Sequence, residues 1–208
     1  MYLSRVELDV SRRSTMMALT SLQKFHGALE DSFDGERRRH LWRLDRLGDK
    51  LFMLVLSEER PDLNNLVNQF GTGTEAESKN YETLLRRIKN GDRWNFRLTA
   101  NPTRSCKKTS DARGTVVAHK TLEFQKKWLT DRAEKNGFEV KEDEFDVTET
   151  HWHHFAKKGN HPVYFLAVTY EGVLKVTDVN KFQTLLCNGI GREKAYGLGM
   201  MTIMCGGL

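Results

Sequence analysis

Gly189-Ile-Gly-Arg-Glu-Lys-Ala-Tyr-Gly-Leu-Gly199 lies between an apolar helical segment and a final apolar strand. Its glycines tolerate positive φ and let backbone N–H groups approach a phosphate, and Arg192 and Lys194 place positive charge at the same spot. No Gly-Lys-Ser/Thr follows, so the stretch is not a Walker A loop, and its third glycine comes too late for a dinucleotide fingerprint. The sequence therefore predicts a loop of special backbone geometry, with Arg192 and Lys194 as candidate phosphate contacts.

The length and net charge of the chain limit the classes of protein to which it can belong. The chain has 208 residues, of which 38% are hydrophobic and 29% charged, enough for one large domain or two of about a hundred residues each. The net charge is +5, which favours a polyanionic partner such as nucleic acid or an anionic membrane. A solvated surface with excess lysine and arginine is the alternative interpretation of that charge.

The cysteines and the length of the apolar runs indicate in which cellular compartment the protein is expected. Cys106, Cys187 and Cys205 are odd in number and show no C-x-x-C spacing, which argues against a disulfide framework or a cysteine zinc site and suits a reducing compartment. No apolar run approaches the roughly 20 residues of a membrane span, and the alternation in residues 1–10 is unlike a signal peptide. We therefore expect a cytoplasmic protein that makes no membrane contact.

Hydrophobic periodicity in the first half predicts a ferredoxin-like order of elements. Apolar residues alternate in the strands and recur every three or four positions in the helices. The predicted elements are a strand at 2–10, a helix at 14–32 capped by Ser14, strands at 38–45 and 51–56, a short helix at 61–70 and a strand at 93–98. This β-α-β-β-α-β order is shared by many RNA-binding modules, although a fold alone does not fix a function.

A basic segment separates this half from a second, similar one. Residues 103–120 have no apolar period and carry five cations against one carboxylate, so we interpret them as a linker between domains at 1–102 and 121–208, either an arm on a phosphate backbone or a solvated loop. The predicted elements beyond it are a helix at 122–135 with Phe124, Trp128 and Leu129 facing inward, strands at 138–147, 150–155, 163–170 and 173–176, a helix from the cap Asp178 to Leu186, and a strand at 200–204. We therefore expect an α+β fold of two tandem ferredoxin-like (RRM-like) domains.

Histidines and a lysine pair are further candidates for chemistry. His26 lies beside the apolar stripe of the first helix, where a histidine is either a boundary residue or a proton carrier that titrates near neutrality. On a strand, His151 and His153 share a face and His154 points the other way; no carboxylate or cysteine completes a set of metal ligands around them. The pair at 157–158 stands at a predicted hairpin tip, where lysines enter a nucleic-acid groove or simply stay solvated.

Four segments of the sequence resemble the CasE family. They are Met1-Tyr-Leu-Ser-Arg-Val6, Phe96-Arg-Leu-Thr-Ala-Asn-Pro102, Tyr170-Glu-Gly-Val-Leu-Lys-Val176 and the glycine-rich stretch continued to Met200. CasE proteins are the CRISPR RNA-processing endoribonucleases of the type I-E Cascade complex. The resemblance implies two tandem ferredoxin-like domains and metal-independent, cofactor-free cleavage of the repeat RNA just 3′ of a stem-loop. The ribose 2′-OH would attack the adjacent phosphate, leaving a 2′,3′-cyclic phosphate and a 5′-hydroxyl, and the product would stay bound within Cascade.

The same resemblance implies roles for particular residues. The family's helix-one histidine falls on His26, which would be catalytic, while Gln23 stands where some relatives have a tyrosine about one turn earlier. Glutamine is neither an acid nor a base, so Lys24 is a candidate for balancing transition-state charge. The expected RNA contacts are two lysines near the base of the stem and three cations of the interdomain segment, namely Lys157, Lys158, Arg104, Lys107 and Lys108.

Partners and rival functions follow from these assignments. We expect the protein to bind the CRISPR repeat RNA hairpin, in the precursor and in mature crRNA, and to contact other Cascade subunits, especially the backbone subunit. A non-catalytic crRNA-hairpin-binding subunit of the same fold is the main alternative, which Gln23 favours and His26 opposes. A metal-dependent hydrolase built on the histidines of 151–161 is a third hypothesis.

Overall fold

The computed structural model describes residues 1–33, 40–106, 114–156 and 161–205. The first-half elements are β1 (Tyr2–Leu8), α1 (Arg13–Thr20), α2 (Gln23–Glu30), β2 (Leu41–Leu47), β3 (Lys50–Ser57), α3 (Asn64–Phe70), β4 (Glu77–Asn80) and the short α4 (Glu82–Leu85). The four strands pair antiparallel in the order β2-β3-β1-β4, which is the ferredoxin-like arrangement. Buried Phe25 of α2 and Leu66 of α3 belong to one apolar core with Val6 and Met53 of the sheet.

A second sheet repeats this arrangement. Its elements follow as β5 (Arg93–Ala100), β6 (Thr103–Cys106), β7 (Thr115–Ala118), α5 (Leu122–Ala133), β8 (Phe138–Glu139), β9 (Phe145–Ala156), β10 (Pro162–Val176), α6 (Val179–Asn188) and β11 (Met201–Met204). The strand order is β11-β5-β10-β8, with β9 also paired to β10, and buried Trp128 of α5 and Phe182 of α6 join its core. The prediction of an α+β fold with two ferredoxin-like domains is confirmed.

One predicted strand belongs to the other sheet. The sequence analysis made the strand at 93–98 the last of the first half, whereas β5 pairs with β10 and β11 of the second sheet, so that assignment is wrong. The first sheet is completed instead by β4, which the sequence analysis missed because its residues, Glu-Ser-Lys-Asn, carry no apolar period. A boundary that follows the sheets lies between Asn80 and Arg93, ahead of the division expected at 102.

The expected linker contains regular structure. Strands β6 and β7 pair antiparallel, from Thr103 opposite Ala118 to Cys106 opposite Thr115, so the basic segment includes a two-stranded ribbon. The backbone N–H of His119 donates to the Pro102 carbonyl at 2.8 Å, which closes the ribbon at its base. The sequence analysis missed this ribbon because short, exposed strands of mixed polarity leave no periodic signal.

The single helix expected at 14–32 is two helices. The hydroxyl of Thr20 donates to the carbonyl of Met17 at 3.0 Å, a local bond that competes with the helical ladder, and α1 ends there. Ser14 is not the cap: the helix begins after Arg12, and the Ser14 hydroxyl donates to the Gln69 carbonyl at 2.6 Å. Those polar contacts fasten α1 to α3, which hydrophobic periodicity cannot show.

One prediction for the second half is confirmed and another is wrong. Asp178 caps α6 as predicted, since its side chain accepts from the backbone N–H groups of Asn180 and Lys181 at 3.1 Å each. Phe124, expected to face inward with Trp128, is 44% exposed and lies beside His119, with ring centroids 5.7 Å apart. Phe124 stands in the first turn of α5, where helical spacing alone cannot tell core from surface.

Arg43 of β2 joins the two sheets. Its side chain is 2% exposed and donates to both carboxylate oxygens of Asp45, at 2.7 and 2.6 Å. It also donates to the carbonyls of Arg97 and Met200, at 2.8 and 2.7 Å, and to the Thr202 hydroxyl at 2.7 Å. All five guanidinium N–H donors are therefore used, three of them by the second sheet and the residue before β11.

Arg43→Met is expected to lower the free energy of unfolding by about 3–5 kcal/mol. The variant removes both hydrogen bonds that Arg43 donates to the buried Asp45 carboxylate, leaving only Arg97 at 3.3 Å beside it, and it removes a donor from two carbonyls. Urea unfolding monitored by circular dichroism measures the loss. Arg5→Met is the matched control, since Arg5 also lies on a strand but pairs with Glu77 at the surface, where such a pair contributes about 1 kcal/mol or less. Equal losses in the two variants would contradict the role given to Arg43.

Candidate functional site

The glycine-rich stretch is a closed loop packed between the two sheets. The Ile190 N–H donates to the Gly199 carbonyl at 2.8 Å, and the Gly199 N–H donates to the Thr99 carbonyl of β5 at 2.7 Å. Gly197 has a φ of 79°, and a Cβ there would stand 2.8 Å from the indole ring of Trp42. Gly199 has a φ of 86°, and a Cβ there would overlap the Ile190 carbonyl oxygen. The glycines are required for close packing on β2 and for the turn itself.

The two cations of this loop have different surroundings. Lys194 donates from Nζ to the carbonyls of Asn188 and Gly189, at 2.7 and 3.0 Å. It thereby satisfies carbonyls at the carboxyl end of α6, as cations commonly do. Arg192 is exposed. Of the two predicted phosphate contacts, Arg192 therefore presents its charge to solvent, while Lys194 also holds the loop closed.

Helix α2 brings His26 to this loop. The turn Lys194–Tyr196 contacts α2, so two sequence signals that lie far apart along the chain meet in the folded protein. The His26 side chain is 22% exposed, and its Nδ1 lies 3.8 Å from a carboxylate oxygen of Glu30, which is 21% exposed. A carboxylate at that distance stabilises the protonated form of an imidazole. His26 is thus a partly exposed histidine with a carboxylate behind it.

The remaining predicted residues are dispersed. Lys24 is exposed on α2, two positions before His26, and residues two apart do not share a helix face. Arg104 is exposed on β6. The other four predicted RNA contacts, Lys107, Lys108, Lys157 and Lys158, lie outside the described residues.

The histidines of β9 divide between two faces, as predicted. His151 and His153 line a cleft and their ring centroids are 4.7 Å apart, whereas His154 packs edge-on against Tyr164 at 6.0 Å. Within residues 1–33, 40–106, 114–156 and 161–205, no three His, Cys, Asp or Glu side chains are grouped so that they could hold a metal ion.

Sequence reasoning missed the cleft that these histidines line. It has a volume of about 410 Å³ and lies between the junction of α1 and α2, strand β2, the glycine-rich loop and the open face of the second sheet. Leu22, Trp42, Thr99 and Tyr196 stand on its different walls. Because the walls come from segments far apart in the chain, no local pattern marks them, and only the alternation of His151 with His153 gave a partial signal.

The fold and the site define a basic protein with two ferredoxin-like domains, in which the helix that carries His26 contacts a glycine-rich loop of the second half. The family model described as CRISPR associated protein matches residues 1–204. The chain therefore belongs to this family of CRISPR-associated proteins. Among the described residues, no helix is long and apolar enough to cross a membrane.

Individual relatives agree with this membership. The CRISPR-associated endoribonuclease Cse3 of Thermus thermophilus is 30% identical, over 98% of this chain and 99% of its own length. A structure of CRISPR endoribonuclease Cse3 bound to a 19-nucleotide RNA superimposes with a TM-score of 0.81 at 26% identity, covering 98% of this chain and all of the other. A structure of Thermus thermophilus Cse3 with an RNA that represents a pre-cleavage complex gives 0.77 at 25% identity, covering 98% of each chain.

Gly199→Ala is expected to disturb the loop more than its backbone conformation alone requires. Gly91 has nearly the same φ, 88°, with no atom within 4 Å of a built Cβ, so Gly91→Ala should cost only the roughly 1–2 kcal/mol of a left-handed non-glycine residue. Gly199→Ala adds overlap with the Ile190 carbonyl and should lose at least about twice as much. Thermal unfolding of both variants measures the difference, and equal losses would show that the loop does not depend on this contact.

Proposed function

We propose that this protein is an endoribonuclease that binds the stem-loop of CRISPR repeat RNA and cleaves just 3′ of the stem to give mature crRNA. The observation that carries the proposal is similarity over nearly the whole chain to the Cse3 endoribonuclease, joined to a partly exposed histidine beside the glycine-rich loop. The net charge of +5 suits a polyanionic substrate.

His26 is the catalytic residue of this reaction. Its imidazole accepts the proton of the ribose 2′-OH, whose oxygen attacks the adjacent phosphorus and forms a 2′,3′-cyclic phosphate. The leaving 5′-oxygen departs and takes a proton from solvent water to become the 5′-hydroxyl, and the imidazolium returns its proton to solvent. Glu30, 3.8 Å from Nδ1, offsets the positive charge of the imidazolium formed by the first transfer. Proton transfer by imidazole accounts for the step without a metal ion.

Exposed cationic side chains on both halves of the chain bind the RNA. Exposed Arg104 on the β6–β7 ribbon and Arg192 on the glycine-rich loop bind phosphates, as duplex RNA is recognised chiefly by shape and backbone contacts. Lys24, exposed on another face of α2 than His26, adds positive charge to the RNA-binding surface. The lysines at 107–108 and 157–158 are further proposed RNA contacts. The first domain thus supplies the catalytic helix and the second supplies much of the RNA surface.

The product hairpin stays bound, and the protein then contacts other Cascade subunits, especially the backbone subunit, in the cytoplasm. A non-catalytic crRNA-hairpin-binding subunit is the second candidate function. The observation that favours it is Gln23, a residue that cannot transfer protons, one helical turn before His26. Cleavage assays separate the two.

His26→Ala is expected to abolish cleavage of repeat RNA, by at least about 100-fold in rate as for loss of a general acid or base, while hairpin affinity is retained. Single-turnover cleavage at saturating protein, with EDTA present, measures the rate, and gel shift measures the affinity. His154→Ala is the matched control, because His154 lies on the other half and packs on Tyr164. Wild-type cleavage rates in His26→Ala would reject His26 as catalytic, and no cleavage by the wild-type protein would favour the binding subunit.

Arg104→Ala combined with Arg192→Ala is expected to weaken hairpin binding and to make its salt dependence shallower. Each lost phosphate contact reduces the slope of log affinity against log salt by roughly one unit. Filter binding across a series of salt concentrations measures the slope. Arg93→Ala serves as control, because Arg93 is exposed but paired with Glu144. An unchanged slope in the double variant would remove both residues from the contact surface.

A further inference from the structure

The cleft beside the glycine-rich loop is close to neutral in charge despite its arginines. Arg43 is bound by Asp45, and Arg97 pairs with Asp45 at 3.3 Å, with Glu149 at 3.8 Å and with Glu171. Their carboxylates neutralise both guanidinium groups. The walls of the cleft therefore offer polar groups without a strong net field, which suits an uncharged polar ligand better than a phosphate.

The histidines on the β9 wall are consistent with that neutrality. His153 stacks on Phe165, with ring centroids 5.0 Å apart. Burial, with a smaller contribution from His151, lowers the pKa of His153 to about 4. At neutral pH its imidazole is uncharged and can both donate and accept hydrogen bonds. The hydroxyls of Thr99 and Thr169, 3.0 Å apart, add further groups of the same kind.

The position of the cleft relates it to His26. Leu22 stands on the cleft wall, and His26 follows four residues later, its backbone N–H donating to the Leu22 carbonyl at 3.2 Å. Residues four apart share a helix face about one turn, or roughly 5–6 Å, apart. The cleft thus begins about one helical turn from the proposed catalytic imidazole, and exposed Arg46 lies at its rim.

We propose that this cleft is a pocket for one unpaired RNA nucleotide, the one joined to the scissile phosphate on its 3′ side. A volume of about 410 Å³ falls within the range of ligand pockets, roughly 300–1,000 Å³. Aromatic and aliphatic walls with a few neutral donors and acceptors match a nucleobase, and Arg46 matches its phosphate. The proposal rests on the proposed function, which places an unpaired nucleotide directly after the cut.

Three uncleavable RNA probes test the pocket. Each probe is a repeat hairpin. The first ends at the stem, the second carries one unpaired nucleotide on the 3′ side, and the third carries an abasic nucleotide at that position. In the second and third probes a 2′-deoxyribose precedes the scissile phosphate, so no 2′-OH can attack. Dissociation constants are measured with the wild-type protein. We expect the base to tighten binding by about 10-fold over the abasic probe, as for bases held by protein pockets and aromatic side chains.

Three variants test whether the cleft is responsible for this gain in affinity. Ala167→Leu fills the cleft, which Ala167 lines, and should abolish the preference for the base. Trp42→Phe keeps a six-membered aromatic ring but removes the five-membered ring of the indole from the cleft wall, so contact with the base is lost and the preference should fall by about three-fold or more. Trp152→Phe is the matched control on the other face of β9 and should keep the full preference. All three should bind the hairpin that lacks a tail as tightly as the wild-type protein does.

The outcomes distinguish this inference from the proposed function. Equal affinity of the wild-type protein for the base-bearing and abasic probes would overturn the pocket and leave hairpin binding intact. A full preference retained in both Ala167→Leu and Trp42→Phe would also overturn it. Failure of the wild-type protein to bind any of the three hairpins would overturn the proposed function, and the pocket with it.

Discussion

The buried guanidinium of Arg43 is the interaction on which the arrangement of this protein depends. One side chain uses all five donors, on Asp45 of its own strand and on Arg97, Met200 and Thr202 of the second half. A buried arginine is tolerated only when it is paired and hydrogen-bonded. The two sheets can therefore not slide past each other without leaving charges and carbonyls unsatisfied, and their relative position is fixed.

That fixed position creates the site. Because β2 is held against β5 and the segment before β11, the glycine-rich loop packs on Trp42 through Gly197 and its turn at Lys194–Tyr196 meets α2. His26 and the loop thus become neighbours, although neither lies in the interface that Arg43 forms. The cleft beneath them has walls from both halves, so its shape depends on the same joint.

Local pattern predicted those features that depend on neighbours in the chain. The alternation of β1 marked a strand, and the cap of α6 was predictable because the two backbone N–H groups that donate to the Asp178 carboxylate are two and three residues away. Features set by distant contacts were wrong or missed: β4 is polar and held by pairing to β1, and β5 joined the second sheet. The resemblance to CasE led to His26, which helical position alone left undecided.

The sequence by itself determined two ferredoxin-like halves, a basic balance and a loop that needs glycine, because periodicity, charge and backbone freedom are properties of residues and their near neighbours. Tertiary structure alone decided which strand completes which sheet, that Lys194 closes the loop while Arg192 faces solvent, and that a near-neutral cleft lies beside His26. The physical reason is that pairing, burial and charge neutralisation join residues far apart in the chain. Arg43 shows this most plainly. In the sequence, a charged residue in a strand predicts a side chain that faces solvent, whereas in the folded protein this side chain is buried between the two sheets.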